Sequence, residues 1–395
     1  MIIVQLKPKK EESLQRFHPW VFSGAIHKIE GNPKEGDLVE VLDSNRNFLA
    51  IGHYQIGSIA VRVVSFQKNT VDDNFWHLKI QLAYAMRVSL GLVNAKQNNT
   101  YRLVHGEGDS LPGLIVDVYD ETAVMQAHSV GMHETREVIA KAIVANVPQV
   151  KNVYYKSETT LPFNAPITPE DGYLIGKETE NLTAIENGLE FHVDWLRGQK
   201  TGFFIDQREN RSLLERYSAG KSVLNMFCYT GGFSVYAMRG GAKLVHSVDS
   251  SAKAIQLTDK NMEANYPNDT RHKSFDEDAF KYLNNLHTLE QKYDLIILDP
   301  PAFAKHREAL RNALKGYKRL NAKAFEQIKP GGIVFTFSCS QVVSKDQFRL
   351  AVFSAAAESK RNVRILHQLS QPADHPINIY HPEGEYLKGL VLWVE

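Results

Sequence analysis

Cysteine is nearly absent. Cys228 and Cys339 are the two thiols in 395 residues, and their wide separation rules out both a disulfide framework and the closely spaced thiol pairs of a zinc cluster. A reducing cytoplasm is the expected location, and no metal is expected. An excess of one charge is absent too. With 46 Lys and Arg against 45 Asp and Glu, the formal net charge is +1. That excludes a protein holding a polyanion through bulk charge and leaves a local basic patch as the route to one. Long apolar runs are also missing. Nothing approaches the roughly 18 residues of a membrane span, and the apolar stretch in MIIVQLKPKKEE is too short for a signal-peptide core. No membrane partner is expected.

What is present is enough apolar material, 43% of residues, for large cores and, at this length, for two or three domains. From Ile2 to about Phe66 short alternating segments, such as LVEVLD, FLAIGHY and IAVRVVSF, predict a small β-barrel or β-rich module. Asp72 and Asp73 precede FWHLKIQLAYAMRVSL, a predicted helix with Phe75, Leu78, Leu82 and Met86 recurring at helical intervals. Between Arg102 and Ser157 the pattern reads strand (111 to 119), strand (122 to 128), helix (around 133 to 146) and strand (152 to 157), a compact α+β unit. In TAIENGLEFHV the pair Asn187-Gly188 predicts a two-residue hairpin turn at the junction to the next unit. The breaks suggest domains at 1–70, 71–190 and 191–395.

From Lys221 onward strands and helix-length segments alternate. SVLNMF, LVHSVD, YDLIILD and GIVFTFS read as buried strands of a parallel sheet, LKGLVLWVE as a closing strand, and Ser344 with Gln347 as a capping box. The fold class is α/β. In such sheets ligands bind beyond the C-terminal strand ends. After the first strand comes Asn225-Met226-Phe227-Cys228-Tyr229-Thr230-Gly231-Gly232-Phe233, whose glycines allow close backbone approach. After the second comes Asp249, placed to accept hydrogen bonds from both hydroxyls of a ribose. The loop lacks the G-x-G-x-x-G spacing of a dinucleotide site. S-adenosylmethionine, which has no phosphate, fits better, with Asp278 in FDEDAFKYL as acceptor for the adenine amino group.

YDLIILDPPAF then ends a strand on Asp299-Pro300-Pro301, a rigid turn that fixes the Asp299 carboxylate and the Pro300 carbonyl. Such a turn suits a planar nucleobase. Enzymes that methylate exocyclic amines place an aromatic residue directly after the prolines; here that residue is Ala302, with Phe303 one further on. The next strand ends in Ser338-Cys339-Ser340. Cytosine C5 is a poor nucleophile, but a thiolate adding to C6 turns C5 into an enamine-like carbon. Cys339 as nucleophile and Asp299 as partner of the ring N3 and amino group are the catalytic candidates. A lone Cys at a strand end is more often packing, and Cys228 is read that way. The position of Cys339 beside Asp-Pro-Pro sets it apart.

The segments QKTGFFIDQRENR, LNMFCYTGG, LDPPAF, TFSCS and ADHPINIYHPEGEYLKG, with HPWVFSGAI and RLVHGEGDSLPGLIVDVY nearer the N-terminus, together resemble bacterial large-subunit rRNA cytosine-C5 methyltransferases of the RlmI type. The resemblance spans essentially the whole chain. It implies an N-terminal PUA domain, a central α+β domain and a C-terminal class I methyltransferase domain. It also implies that Cys339 is the nucleophile and that Asn225, Phe227, Asp249, Asp278 and Asp299 line the methyl-donor site. Tyr229 and Gly231 belong to the same loop, and Arg208 is a candidate for the donor's carboxylate. Many RNA cytosine-C5 methyltransferases carry a second Cys after the proline of the Asp-Pro segment, where this chain has Pro301.

The implied partner is rRNA, 23S, free of protein or partly assembled; the sequence leaves room for a homodimer. After Phe303, Lys305, Arg307, Arg311, Lys315, Lys318, Arg319, Lys323 and Lys329 face only Glu308 and Glu326. Five of them are four apart and would spiral along one helix, if Gly316 does not interrupt it. Two rival readings are an amino-group methyltransferase with Cys339 as filler and a non-catalytic RNA-binding protein that keeps the donor fold.

Overall fold

The computed structural model describes residues 2–93, 97–162, 165, 167–179, 182–286 and 292–395. The chain divides into two compact units. Met1–Gly188, Val193–Ile205 and Ala373–Gly384 form the first; Leu189–His192, Asp206–Pro372 and Glu385–Glu395 form the second.

The first unit opens with β1 (Ile2–Leu6), α1 (Glu12–Gln15), β2 (Trp20–Phe22), β3 (Ile26–Glu30), β4 (Leu38–Leu42), β5 (Phe48–Tyr54) and β6 (Ile59–Ser65). They form one six-stranded sheet in the order β2-β6-β5-β4-β1-β3, with β1 parallel to β4 and its other neighbours antiparallel. Alternating Val39 and Val41, and Val61 and Val63, fill its core with Val4, Leu6 and Leu14, as the period-two pattern predicts.

Helix α2 (Asp73–Ser89) starts at Asp72, whose side chain accepts the Phe75 N–H. Its buried face differs from the expected one. Phe75 is buried, but Leu78 and Leu82 are 47% and 68% exposed, and the packed stripe is Phe75, Trp76, Ile80, Ala83 and Arg87. The two stripes lie one residue apart, and a small and a charged residue disguised the true one. Arg87 is buried because every part of its guanidinium is bonded. It pairs with Asp109 and donates to the carbonyls of Arg102 at 2.7 Å and Asp374 at 2.8 Å.

Next come β7 (Thr100–His105), β8 (Leu114–Tyr119), β9 (Thr122–Ala127), α3 (Val130–Glu134), α4 (Arg136–Asn146), β10 (Asn152–Tyr155) and β11 (Gly172–Ile175). Their sheet runs β11-β10-β9-β8-β7, and α3 and α4 supply the crossover between the parallel β9 and β10. The single helix expected around 133 to 146 is two, broken at Thr135, whose hydroxyl donates to the Gly131 carbonyl at 2.8 Å. The strand expected from 111 begins at Leu114, after a turn closed by the Leu114 N–H on Leu111 O.

His53 of β5 is 2% exposed and stacks on Trp76. Burial pushes its pKa down to about 4. A folded-state value below the unfolded one means its stability contribution is complete above about pH 6.5 and falls away as the pH drops toward 4. Taking the protein from pH 7 to 5 is therefore expected to cost about 2 kcal/mol through this ring alone. In His53→Gln, denaturant titrations at the two pH values should differ by that much less.

After β12 (Thr183–Glu186), Asn187 and Gly188 have φ of 51° and 78°, the backbone of a two-residue I′ turn, before β13 (Leu189–His192). The division between the units falls directly after Gly188.

The second unit contains α5 (Arg208–Tyr217), β14 (Ser222–Met226), α6 (Gly232–Arg239), β15 (Leu244–Asp249), α7 (Ala252–Asn265), β16 (His272–Asp276), α8 (Ala279–Asn285), β17 (Tyr293–Leu298), α9 (Leu310–Gln327), β18 (Ile328–Ser338), α10 (Lys345–Glu358), β19 (Val363–Leu369) and β20 (Lys388–Val394). The sheet order is β16-β15-β14-β17-β18-β20-β19. The first five strands are parallel; β20 runs antiparallel to both its neighbours. The four expected parallel strands are present, and β16 and β19 are additions at the two edges. Ser344 and Gln347 form the reciprocal capping box. Strand order reverses between β14 and β17, which makes their C-terminal ends the crevice of this sheet. Among the described residues no helix is long and apolar enough to cross a membrane.

Candidate active site

The register brings the strand ends into one row: Met226 pairs with Val248 and with Leu298, and Leu298 with Thr336. One step further along lie the loop from Phe227, Asp249 and Asp299.

The loop after β14 is strained and tied down. Phe227, Tyr229 and Gly231 have φ of 58°, 48° and 77°. For the two aromatic residues that backbone costs on the order of 1–2 kcal/mol each and persists only where the surroundings impose it. Here they do. Cys228 N–H donates to Val248 O at 3.0 Å, Tyr229 N–H to Asp249 Oδ2 at 2.9 Å, and Gly231 N–H to Cys228 O at 2.8 Å. From α7, Thr258 Oγ1 donates to Tyr229 O at 2.9 Å and Asn261 Nδ2 to Thr230 O at 2.8 Å. A Cβ on Gly231 would lie 2.6 Å from Thr258 Cγ2, so only glycine fits. Thr258 and Asn261 had no signal in the sequence beyond lying on a helix.

Asp249 accepts the Tyr229 N–H on one oxygen and the Ser251 N–H on the other at 3.0 Å. Each oxygen keeps a further lone pair, so the carboxylate is aimed yet able to accept two more donors. Asp278 is exposed at the end of β16 and caps α8 by accepting the Lys281 N–H at 2.9 Å. Asn225, the penultimate residue of β14, turns its side chain toward α6 rather than into the loop. It is 1% exposed, and its Nδ2 donates to Ser234 Oγ on α6 at 2.9 Å, the start of a buried chain through Ser247 to His272. Arg208 opens α5 as a buried guanidinium.

Asp299 is half-buried and accepts Gln207 Nε2 at 3.1 Å, while Gln207 Oε1 accepts Asn210 Nδ2 at 2.6 Å. Gln207 and Asn210 thus help to fix this carboxylate, and the sequence offered only their place in IDQREN. The Cys339 Sγ lies 4.0 Å from the Pro300 carbonyl oxygen. Its two serine neighbours explain how it is presented. Ser338 Oγ donates to Tyr317 OH on α9 at 2.9 Å, and Ser340 Oγ donates to Ala304 O at 2.6 Å. Both hydroxyls are buried, while Cys339, directly after the end of β18, is half-exposed. The second thiol contrasts with it: Cys228 is buried, and burial, reinforced by Asp249, pushes its pKa far up.

Phe303 does not occupy the crevice. Its ring packs on Tyr317 with centroids 4.6 Å apart and reaches Gly316, where a Cβ would come within 3.0 Å of it. Gly316 therefore serves close packing, and α9 runs unbroken through it. The basic stripe is smaller than expected. Lys318, Lys323 and Lys329 pair with Glu358, Glu326 and Asp294, and Arg319 lies over the Phe280 ring at 4.3 Å. Lys305, Arg307, Arg311 and Lys315 stay exposed and make no ion pair among the described residues. A spacing of four overshoots the 3.6-residue turn by about 40° at each step, so the stripe winds around the helix and back toward the protein. Among the described residues the one cluster of metal-ligating type, His18, His381 and Glu383, belongs to the first unit and includes none of these side chains.

A parallel sheet reversing at β14, a glycine cradle after that strand and an acid ending the next define the class. The chain belongs to the S-adenosylmethionine-dependent methyltransferases: that family's profile matches residues 165–382, and a PUA-like domain profile matches residues 4–66. Within the class it is a member of the ribosomal RNA large subunit methyltransferase I family. The protein of that name from Shewanella frigidimarina is 40% identical over 99% of this chain and 98% of its own; that from Alteromonas mediterranea is 38% identical over 98% of each. Among solved structures, SMU.776, a methyltransferase complexed with SAH, is 25% identical with a TM-score of 0.87, both chains being covered in full. A methyltransferase from Streptococcus mutans, 24% identical with a TM-score of 0.85 over both full chains, shares the fold.

Proposed function

We propose that this chain methylates C5 of a cytidine in large-subunit (23S) ribosomal RNA, with Cys339 as the covalent nucleophile. The observation that carries the reading is the setting of Cys339. It is a half-exposed thiol held between two anchored serines, beside the Asp299-Pro300-Pro301 turn and in the sheet that carries the donor loop. The RNA assignment rests on the relatives' name, ribosomal RNA large subunit methyltransferase I.

The donor's place fits the residues present. Asp249 offers acceptors for a ribose, and Asp278 keeps an oxygen free of the cap bond. When bound, S-adenosylmethionine supplies an electrophilic sulfonium methyl group. The chain's own residues do the rest. The Cys339 thiolate adds to C6, and the C5–C6 π pair moves to C5, which becomes the nucleophile for the methyl. In this reading the Asp299 carboxyl, held by Gln207, bonds the ring N3 and amino group. Once C5 gives its proton to a general base, the π bond re-forms and the C6–S pair returns to sulfur. The packing of Phe303 on Tyr317 leaves Ala302 beside the turn, which removes the aromatic platform that an amino-group methyltransferase would use.

Transcripts of large-subunit RNA carrying 5-fluorocytidine test this, because fluorine at C5 blocks elimination. Incubated with the donor, wild type and Cys228→Ala should give a covalent complex that survives denaturation; Cys339→Ala should not. Full methylation of ordinary RNA by Cys339→Ala would sink the assignment.

The cytidine must also be unstacked to reach the thiol. In this reading residues 1–70, 71–190 and 191–395 act as PUA-like, central and catalytic domains, and Lys305, Arg307, Arg311 and Lys315 hold phosphates. Changing Lys305, Arg307, Arg311 and Lys315 together to Gln should weaken RNA binding. The slope of log affinity against log salt should shrink by about 0.7–0.9 for each phosphate that is no longer neutralised. Affinity for S-adenosylhomocysteine, measured calorimetrically, should not change.

A further inference from the structure

We infer that Lys388 sets the charge of Cys339: its amine takes the thiol proton, and the resulting ammonium holds the thiolate ready to attack. This rests on the reading of Cys339 as nucleophile. Lys388 opens β20 and is the register partner of Ser338 across the antiparallel β18 pair. Its Nζ donates to the carbonyl oxygen of Ser340. The side chain therefore reaches from the residue before Cys339 to the residue after it.

A buried ammonium needs a counter-charge. Lys388 is 5% exposed, and one carbonyl does not offset the loss of water around a full charge. Among the described residues it makes no ion pair. The acid on the same segment, Glu385, is paired with Lys345. Across the site Tyr317, a neutral phenol with its pKa pushed up to about 12 by burial, accepts from Ser338 and offers no charge. Asp299, held by Gln207, is not among the charges that act on Lys388. Of the acids that act on the ammonium, Cys339 comes ahead of the already paired Glu385.

The energetics are balanced enough for the proton to cross. Burial lowers the Lys388 pKa to about 8, with Cys339 and Glu385 opposing the fall and Lys345 adding to it. An ordinary thiol lies at about 8.5. Burial thus brings the amine down toward the ordinary thiol range, and once the proton moves from sulfur to nitrogen, each charge stabilises the other. In that step the S–H bond breaks, its electron pair stays on sulfur, and an N–H bond forms. When sulfur is later expelled from C6, it returns beside the same ammonium. Lys388 is a positioning residue in this sense: it acts on the substrate through Cys339.

The test uses the full chain without RNA. Native protein is alkylated with iodoacetamide over a pH series, and modified Cys339 is quantified by peptide mass. Buried Cys228 is expected to stay unmodified. Wild type should show an inflection below the ordinary thiol value. Lys388→Gln should move it up by about one unit and slow alkylation at pH 7 about tenfold, and Lys388→Arg, which keeps the charge, should restore most of the rate. An unchanged profile in a Lys388→Gln protein that still binds S-adenosylhomocysteine overturns the inference. If that variant does not fold, the thiolate absorbance of wild type minus Cys339→Ala decides: an inflection at or above about 8.5 overturns it equally. Neither readout involves methyl transfer. RNA methylation by Cys339→Ala would remove the nucleophile assignment and leave the thiol–amine pairing to stand or fall on alkylation alone.

Discussion

Cys339→Ala is expected to lower methyl transfer to RNA by more than about 10⁴-fold, the scale on which removing a covalent nucleophile acts. The loss should appear in the chemical step. The thiol lies just past the end of β18, beside the Pro300 carbonyl, away from the loop of residues 227–231. Affinity for S-adenosylhomocysteine should therefore stay within about twofold of wild type, since surface changes away from structural bonds rarely exceed about 0.5 kcal/mol. Single-turnover assays at saturating donor and RNA separate the two effects. Cys228→Ala is the internal control. That residue is buried under the loop, its thiol driven far from ionisation, and the change removes one sulfur from packing. Its cost should fall on stability, about 1 kcal/mol, with methyl transfer retained. A Cys339→Ala enzyme that turns over at a rate near wild type would return the thiol to the role of filler.

The second large effect belongs to Asp249. Its carboxylate aims the Tyr229 and Ser251 amides and offers the ribose two acceptors. Hydrogen bonds to a charged group are worth about 1.5–3 kcal/mol each, so Asp249→Ala should weaken donor binding by about 10²-fold or more. The Tyr229 N–H would also lose its partner, which loosens a backbone held at positive φ. Asp249→Asn keeps an acceptor oxygen and should fall in between. Titration calorimetry with S-adenosylhomocysteine checks the order; equal affinities for wild type and the alanine variant would remove Asp249 from the donor site.

Much of this was legible because chemistry-bearing residues cluster after buried strands, and such strands announce themselves as short β-branched runs. SVLNMF, LVHSVD, YDLIILD and GIVFTFS all became β-strands of the expected sheet. The edge strands did not announce themselves. β16 reads HKSFD and β19 reads VRILHQL, and each has partly or fully exposed side chains along its length, so neither carries the continuous apolar signal of a strand buried on both faces. The stripe of α2 was misplaced for the same reason in reverse: Arg87 is buried by pairing, which no periodicity records. At the site, the sequence supplied the residues that end strands and missed those that hold them. Gln207, Asn210, Thr258 and Asn261 are polar residues with no motif of their own. Lys388 lay within a strand read only as closing the sheet, and its burial beside Ser338 emerges from strand pairing across about fifty residues. Asn225 was read at a strand end, yet its side chain faces α6, because the loop turns only at Phe227.

The loop of residues 227–231 has one more consequence. Its unfavourable backbone is met when the second unit folds, by amides, hydroxyls and carboxamides already inside that unit. On the proposed reading of this loop as the donor site, the donor meets a finished seat and gives up little of its affinity to arranging it. Loading need not wait for RNA: the protein can carry its methyl group through the cell and devote the encounter with RNA to finding and unstacking one base.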